Sequence, residues 1–208
     1  TLDTEGTDPE AAPVIAQVRE APLQKLVFGP GFSTDSGARL SLEHIHNQLP
    51  VIGWRAVSKL SLDRETKNAS SEWTDLPNNN GWRWFAGAQL QREATGDYDV
   101  NSGRVRSGRS KSTQNIDRNY FVQYDYANSQ GLTANALSPA ESSTALSVNY
   151  GWTGRYFNSL TAPTRGHGIA LELGLGTTLR PERDPFVRTL VRWQSFIPAG
   201  RVTDDAGL

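Results

Sequence analysis

Leu146-Ser147-Val148-Asn149-Tyr150-Gly151-Trp152-Thr153 and, beyond a Pro163-Thr164-Arg165-Gly166 turn, Ile169-Ala170-Leu171-Glu172-Leu173-Gly174-Leu175-Gly176 are the two stretches that decide the fold of this chain. In the first, Leu146, Val148, Tyr150 and Trp152 fall on one parity and Ser147, Asn149, Gly151 and Thr153 on the other. That is the period of a strand with one apolar face. After the turn, Ile169, Leu171, Leu173 and Leu175 alternate with Ala170, Glu172, Gly174 and Gly176. Two long strands, apolar on one side, small or polar on the other, with aromatics near the turn, suit a wall between lipid and water. A soluble sandwich usually has shorter strands.

Composition agrees with that reading. The 208 residues hold one large β domain or two small ones. Hydrophobic residues make up 37%, with 19 glycines and 6 tryptophans, and the mean hydropathy is -0.53. Membrane barrels look soluble on average because half of each strand faces a polar lumen. No apolar run has the length of a membrane-spanning helix. Cysteine is absent, which excludes a disulfide framework, a thiolate metal site and a cysteine nucleophile. The net charge of -1 carries no basic excess of the kind nucleic-acid binding needs, so no nucleic-acid partner is expected. Arginine supplies most of the positive charge, and it is the residue suited to fixed, bidentate pairing in a polar cavity.

Read outward from the central hairpin, the chain yields about ten antiparallel strands and no helix worth naming. Thr1 to Ala12 reads as a loop, and Pro13 to Glu20 as a short strand broken by Ala21-Pro22. Gln24 to Phe32 is a strand with Leu26, Phe28, Pro30 and Phe32 on one parity. Gly29-Pro30-Gly31 within it demands an edge or a bend. Further strands are expected at Ala38 to Glu43, Trp54 to Arg64, Ser70 to Leu76, Trp82 to Glu93, Asn101 to Ser110, Tyr120 to Tyr126 and Pro185 to Pro198. Loops are expected at Ala94 to Val100 and Asn128 to Ser143. The turns read as short on one end of the strands and longer on the other.

Phe32-Ser33-Thr34-Asp35-Ser36-Gly37 resembles the "GYSTDxG" first hairpin of the BamA superfamily of outer-membrane assembly factors, more closely its TamA branch. Tyr150-Gly151-Trp152-Thr153, then Phe157 and Pro163-Thr164-Arg165-Gly166, resembles a later hairpin of that family, where a tyrosine-rich strand meets a "PTxG" turn. The resemblance runs over residues 13 to 200. It implies that residues 1–23 are a linker and the last strand of a periplasmic POTRA module. Residues 24–208 would then be the N-terminal portion of an outer-membrane β-barrel in a Gram-negative bacterium. The family's "RGY/RGF" loop is absent from the sequence, so the chain taken alone is not expected to close as that barrel closes. Thr1 and the lack of methionine fit either an exported mature product or a piece of a longer protein, and the polar tail from Arg201 to Leu208 favours the second.

The resemblance also implies a mechanism. An incoming barrel protein or autotransporter adds its C-terminal strand to the weakly paired first barrel strand, and an inner-membrane partner of the TamB type cooperates. The client-strand edge here would be Leu26, Val27, Phe28, Gly29, Gly31 and Phe32. Glycine and proline at this place would alternatively just relieve crowding at a domain junction. Arg83, Arg155, Arg188 and Arg192 are expected to face the lumen, where Glu172, Asp125 and Glu43 can pair with them, as a solvated structural interior rather than an ion-selective channel. His44 and His46 share a strand face but lack a third ligand, so no metal is expected. Gly174-Leu175-Gly176 precedes no helix that would hold a phosphate, no nucleophile elbow or carboxylate dyad stands out, and Asn68-Ala69-Ser70 matches a glycosylation pattern of little weight. No enzymatic activity and no cofactor are expected. Pro163 to Gly166 is read as a marker of position in the barrel, and the tryptophans as lipid-face anchors. The rival readings are a passive porin or transporter barrel and a soluble carbohydrate-binding β-sandwich.

Overall fold

The computed structural model describes residues 22–34, 37–95, 98–131 and 141–198. Its strands are β1 (Gln24–Ser33), β2 (Gly37–His46), β3 (Arg55–Leu62), β4 (Thr66–Thr74), β5 (Trp82–Thr95), β6 (Tyr98–Ser112), β7 (Ile116–Gly131), β8 (Glu141–Phe157), β9 (Gly166–Arg180) and β10 (Pro185–Phe196). All ten form one antiparallel sheet whose spatial order is the chain order. The fold is therefore all-β, and its up-and-down meander, with β1 and β10 as edges unpaired among the described residues, is consistent with part of a barrel. With one sheet there is no second layer, and a sandwich core is missing among the described residues.

Several expected boundaries shift, mostly toward longer strands, although β3 and β10 are shorter than the expected Trp54 to Arg64 and Pro185 to Pro198. The loop expected at Ala94 to Val100 is instead a tight hairpin, for β5 runs to Thr95 and β6 starts at Tyr98. The strand expected at Ser70 to Leu76 is β4, which begins earlier, at Thr66, and ends at Thr74. The Asn128 to Ser143 loop shrinks because β7 reaches Gly131 and β8 begins at Glu141. Most of the added pieces are polar on both parities, so little alternation marks them, and they are strand because a neighbouring ladder extends over them. The short strand expected at Pro13 to Glu20 and the tail from Arg201 lie outside the described residues.

Loop lengths divide between the two ends less cleanly than expected. Connections 34–36, 63–65, 96–97, 132–140 and 181–184 lie at one end, and 47–54, 75–81, 113–115 and 158–165 at the other. The tight turn at the second end is closed by Thr113, whose hydroxyl donates to the Ile116 carbonyl at 2.9 Å and accepts from the Ile116 amide at 3.1 Å.

The register sorts the side chains onto two faces, because directly paired residues point the same way. One row runs Leu90, Gly103, Tyr126; the next Ala88, Val105, Tyr124, Leu146; the next Ala86, Ser107, Val122, Val148, Leu175, Val187. The opposite face carries Glu72, Gly87 and Arg106 in one row and Asp117 and Thr153 in another. Burial follows these faces in the reverse of the soluble sense. Val148 is 59% exposed and Leu175 62%, while Ser147 and Asn149 beside them are 7% exposed. Ala56 is the sole buried hydrophobic residue among those described. A single layer encloses small polar groups on one face only by curling toward it, so the polar face is the inner one.

Candidate functional site

The first edge can be built from hydrogen-bond geometry. β1 and β2 pair with Gln24 opposite His46 and Phe28 opposite Leu42. Just beyond, the Asn47 amide donates to the Leu23 carbonyl at 2.8 Å, which places Leu23 and Asn47 opposite each other at a hydrogen-bonded position of the ladder. Such pairs alternate along an antiparallel ladder. Lys25, Val27, Gly29 and Gly31 therefore direct their backbone groups to β2, and Leu26, Phe28, Pro30 and Phe32 direct theirs to the open side. Proline lacks an N–H, and here the missing donor belongs to the open side, so the β2 ladder loses nothing. The six expected edge residues thus share one strand but divide by role: Leu26, Phe28 and Phe32 offer backbone to a partner, and Val27, Gly29 and Gly31 hold β2.

The two glycines differ in their surroundings. A Cβ on Gly29 would stand 2.6 Å from the Ser41 hydroxyl, which donates to the Gly29 carbonyl at 2.9 Å. A Cβ on Gly31 would meet nothing nearer than Arg39 Cβ at 3.9 Å.

The inner face carries paired charge. Lys59 meets Glu43 at 2.9 Å and Arg104 meets Asp125 at 2.7 Å, each directly across a ladder. Arg106 reaches Glu72 at 2.6 Å over the intervening β5, and the two close above Gly87, where no side chain stands in the way. The Arg106 guanidinium also lies 5.7 Å from the Phe85 ring centroid. Of the expected lumen residues, Arg155 pairs with Asp117 at 2.5 Å, and Glu172 lies at 4.0 Å from both Arg188 and Arg192. Arg83 lines a recess with Glu72, Phe85, Arg106 and Phe121. Asp117, Glu72, Arg104 and Arg106 acquire their partners only through the register, and the sequence alone did not assign them.

The outer face has a rim. All six tryptophans lie toward the strand ends that bear connections 47–54, 75–81, 113–115 and 158–165. Arg109 sits on this outer face, with its guanidinium 5.0 Å from the Trp84 ring and 5.9 Å from that of Trp82, and Trp82 packs against Tyr120 at 5.3 Å. The expected polar strand β6 thus sends Arg104 and Arg106 inward and Arg109 outward into an aromatic rim. At the other end, Arg92 forms an ion pair with Asp99.

The remaining candidates are structural. His44 and His46 share the outer face, with ring centroids 6.2 Å apart, and no group of three metal-ligating side chains occurs among the described residues. Asn68 is held to Gln91 at 3.3 Å. Thr164 and Arg165, which follow Pro163, are gripped by Asn158, whose side-chain carbonyl accepts from the Thr164 and Arg165 amides at 3.1 and 3.0 Å. Gly166 follows at φ 126°, in a conformation that admits glycine, with the Tyr156 carbonyl 2.2 Å from where a Cβ would sit. No protein-family model matches the chain, and no curated protein matches it in sequence.

Proposed function

We propose that this chain forms the N-terminal wall of an outer-membrane protein insertion factor of the BamA and TamA type, acting by strand addition at β1. The membrane part of this reading is supported by the inverted faces. Leu90, Val105, Val122, Val148, Leu175, Val191 and Trp193 are all exposed. Each forgoes roughly 1–2 kcal/mol when left in water, and together they rival the 5–15 kcal/mol by which a typical domain is stable. An apolar solvent removes the conflict. On β7 the belt is bounded by Arg118 and Asn128, about 33 Å apart along a strand at about 3.3 Å per residue. Tilted by about 40°, this projects to about 25 Å, the height of a barrel's lipid-facing band.

The insertion part rests on one observation, the open β1 edge with the Leu26, Phe28 and Phe32 backbone directed outward. In lipid each unpaired backbone group costs several kcal/mol, so such an edge favours capture of a strand. Entry into β1 from a periplasmic module would put connections 47–54, 75–81 and 158–165 and the tryptophan rim on the periplasmic side. A photo-crosslinking residue at Phe28 should capture the last strand of an autotransporter barrel during its assembly. Normal assembly without any crosslink overturns the reading, and steady ion conductance by the membrane-embedded protein would favour a passive porin instead.

A further inference from the structure

We propose that Pro30 is a register stop that confines a client strand to the Gln24–Phe28 half of β1. The inference rests on the reading of β1 as an acceptor edge and adds where along it pairing ends. On the open side, Leu26 and Phe28 each offer a donor and an acceptor, Pro30 offers an acceptor alone, and its ring fills the place of the N–H. With Gln24, which also faces the open side, an incoming strand meets three complete bonding positions, then a broken one, before Phe32.

The opposite edge has no such break. The Thr178 amide donates to the Asp184 carbonyl at 2.9 Å, so Thr178 and Asp184 are a bonded pair in the β9–β10 ladder. Alternation from there directs Pro185, Val187, Thr189, Val191, Trp193 and Ser195 outward, and the one proline among them, Pro185, is the first residue of β10 and interrupts nothing beyond it. An unbroken edge in lipid is filled and stays filled, because unpaired backbone groups have no water to bond. An edge interrupted halfway holds a strand by a short ladder, which lets the strand leave. That asymmetry fits a transient occupant at β1, an extended segment of another chain whose apolar side chains alternate and continue the outer face beside Leu26 and Phe28.

Disulfide capture tests this cleanly because the chain has no cysteine. Val27 and Gly31 are the positions whose backbone turns away from an incoming strand. Opposite such positions the Cα atoms of two strands approach to about 4.5 Å, within reach of a disulfide. The probe is a peptide of about nine residues, the length of a spanning strand, alternating valine and serine with one central cysteine carried as a mixed disulfide with thionitrobenzoate, which the host thiolate displaces by thiol–disulfide exchange. The host is the 208-residue chain in phosphatidylcholine vesicles. Val27→Cys should be captured about tenfold faster than Gly31→Cys, a ratio that corresponds to about 1.4 kcal/mol. Both thiols should react alike with a small aromatic disulfide reagent, and Pro30→Ala should bring Gly31→Cys up to the rate of Val27→Cys. Equal capture at both positions with Pro30 in place, or no gain from Pro30→Ala, overturns the register stop while leaving the acceptor edge standing. Absence of capture at both positions, with both thiols reactive, overturns the acceptor edge and the stop with it.

Discussion

The sheet is built from two unlike halves. β1 to β4 are short, 8 to 10 residues each, and β3 to β2 carry the Lys59–Glu43 ion pair between them. β5 to β10 run from 12 to 17 residues and carry most of the belt of exposed apolar side chains, four of the six rim tryptophans, and most of the inner-face ion pairs. Backbone hydrogen bonds scale with strand length, so the second half has the stronger ladders. On the proposed function, a barrel that admits strands would need a firm wall and a side that yields, and the division of strand length would supply both from one meander.

Six substitutions break or sharpen that comparison. The largest effect is expected at Gly108 in β6, where a Cβ would stand 2.2 Å from the Tyr120 carbonyl and 2.5 Å from Phe121 Cβ. Gly108→Val should lower stability by about 3 kcal/mol or more, through overpacking against backbone that cannot move aside. Gly31→Val in β1 should change it by less than about 0.5 kcal/mol, as surface substitutions usually do. Urea midpoints of the protein folded in vesicles measure both, and equal losses would erase the contrast between the halves. Next comes Val148→Arg, in the middle of the exposed face. It should lower stability by about 2–4 kcal/mol in lipid, and the same change at Leu40, beside the first turn, by about 0–1 kcal/mol.

A smaller effect is expected at Glu72→Gln, which removes the partner of Arg106. Both side chains are about half exposed, so the loss should be about 0.5 kcal/mol and should shrink in high salt. A salt-independent loss would mean that the Phe85 contact, and not the charge pair, holds Arg106. The smallest change is a gain. Val51 has φ 77° at an exposed loop tip, a conformation that a β-branched residue adopts only under strain. Val51→Asn should raise the unfolding midpoint slightly, by an amount equivalent to about 1 kcal/mol, and an unchanged midpoint would show that the loop relaxes without it.

What the sequence reveals follows from where a strand has two different faces. β8 and β9 are readable because leucine, valine and tyrosine alternate with serine, asparagine and glycine without interruption. β6 is nearly unreadable, since Arg104, Arg106, Arg109 and Lys111 put charge on both parities, and its strand form depends on β5 and β7 at either side. The same dependence hides the inner-face pairs: Glu72 and Arg106 are far apart in the chain, and only the two ladders through Gly87 bring them together. Gly29-Pro30-Gly31 showed that β1 must be an edge or a bend. The side on which Pro30 lacks its donor needed the Asn47 to Leu23 hydrogen bond.

The gathering of every tryptophan at one end of the strands makes the molecule its own optical depth gauge. All of its indole emission originates from that rim. A quencher confined to one leaflet would therefore darken nearly all of the signal or almost none of it, and a single intensity reading would report which way the wall faces.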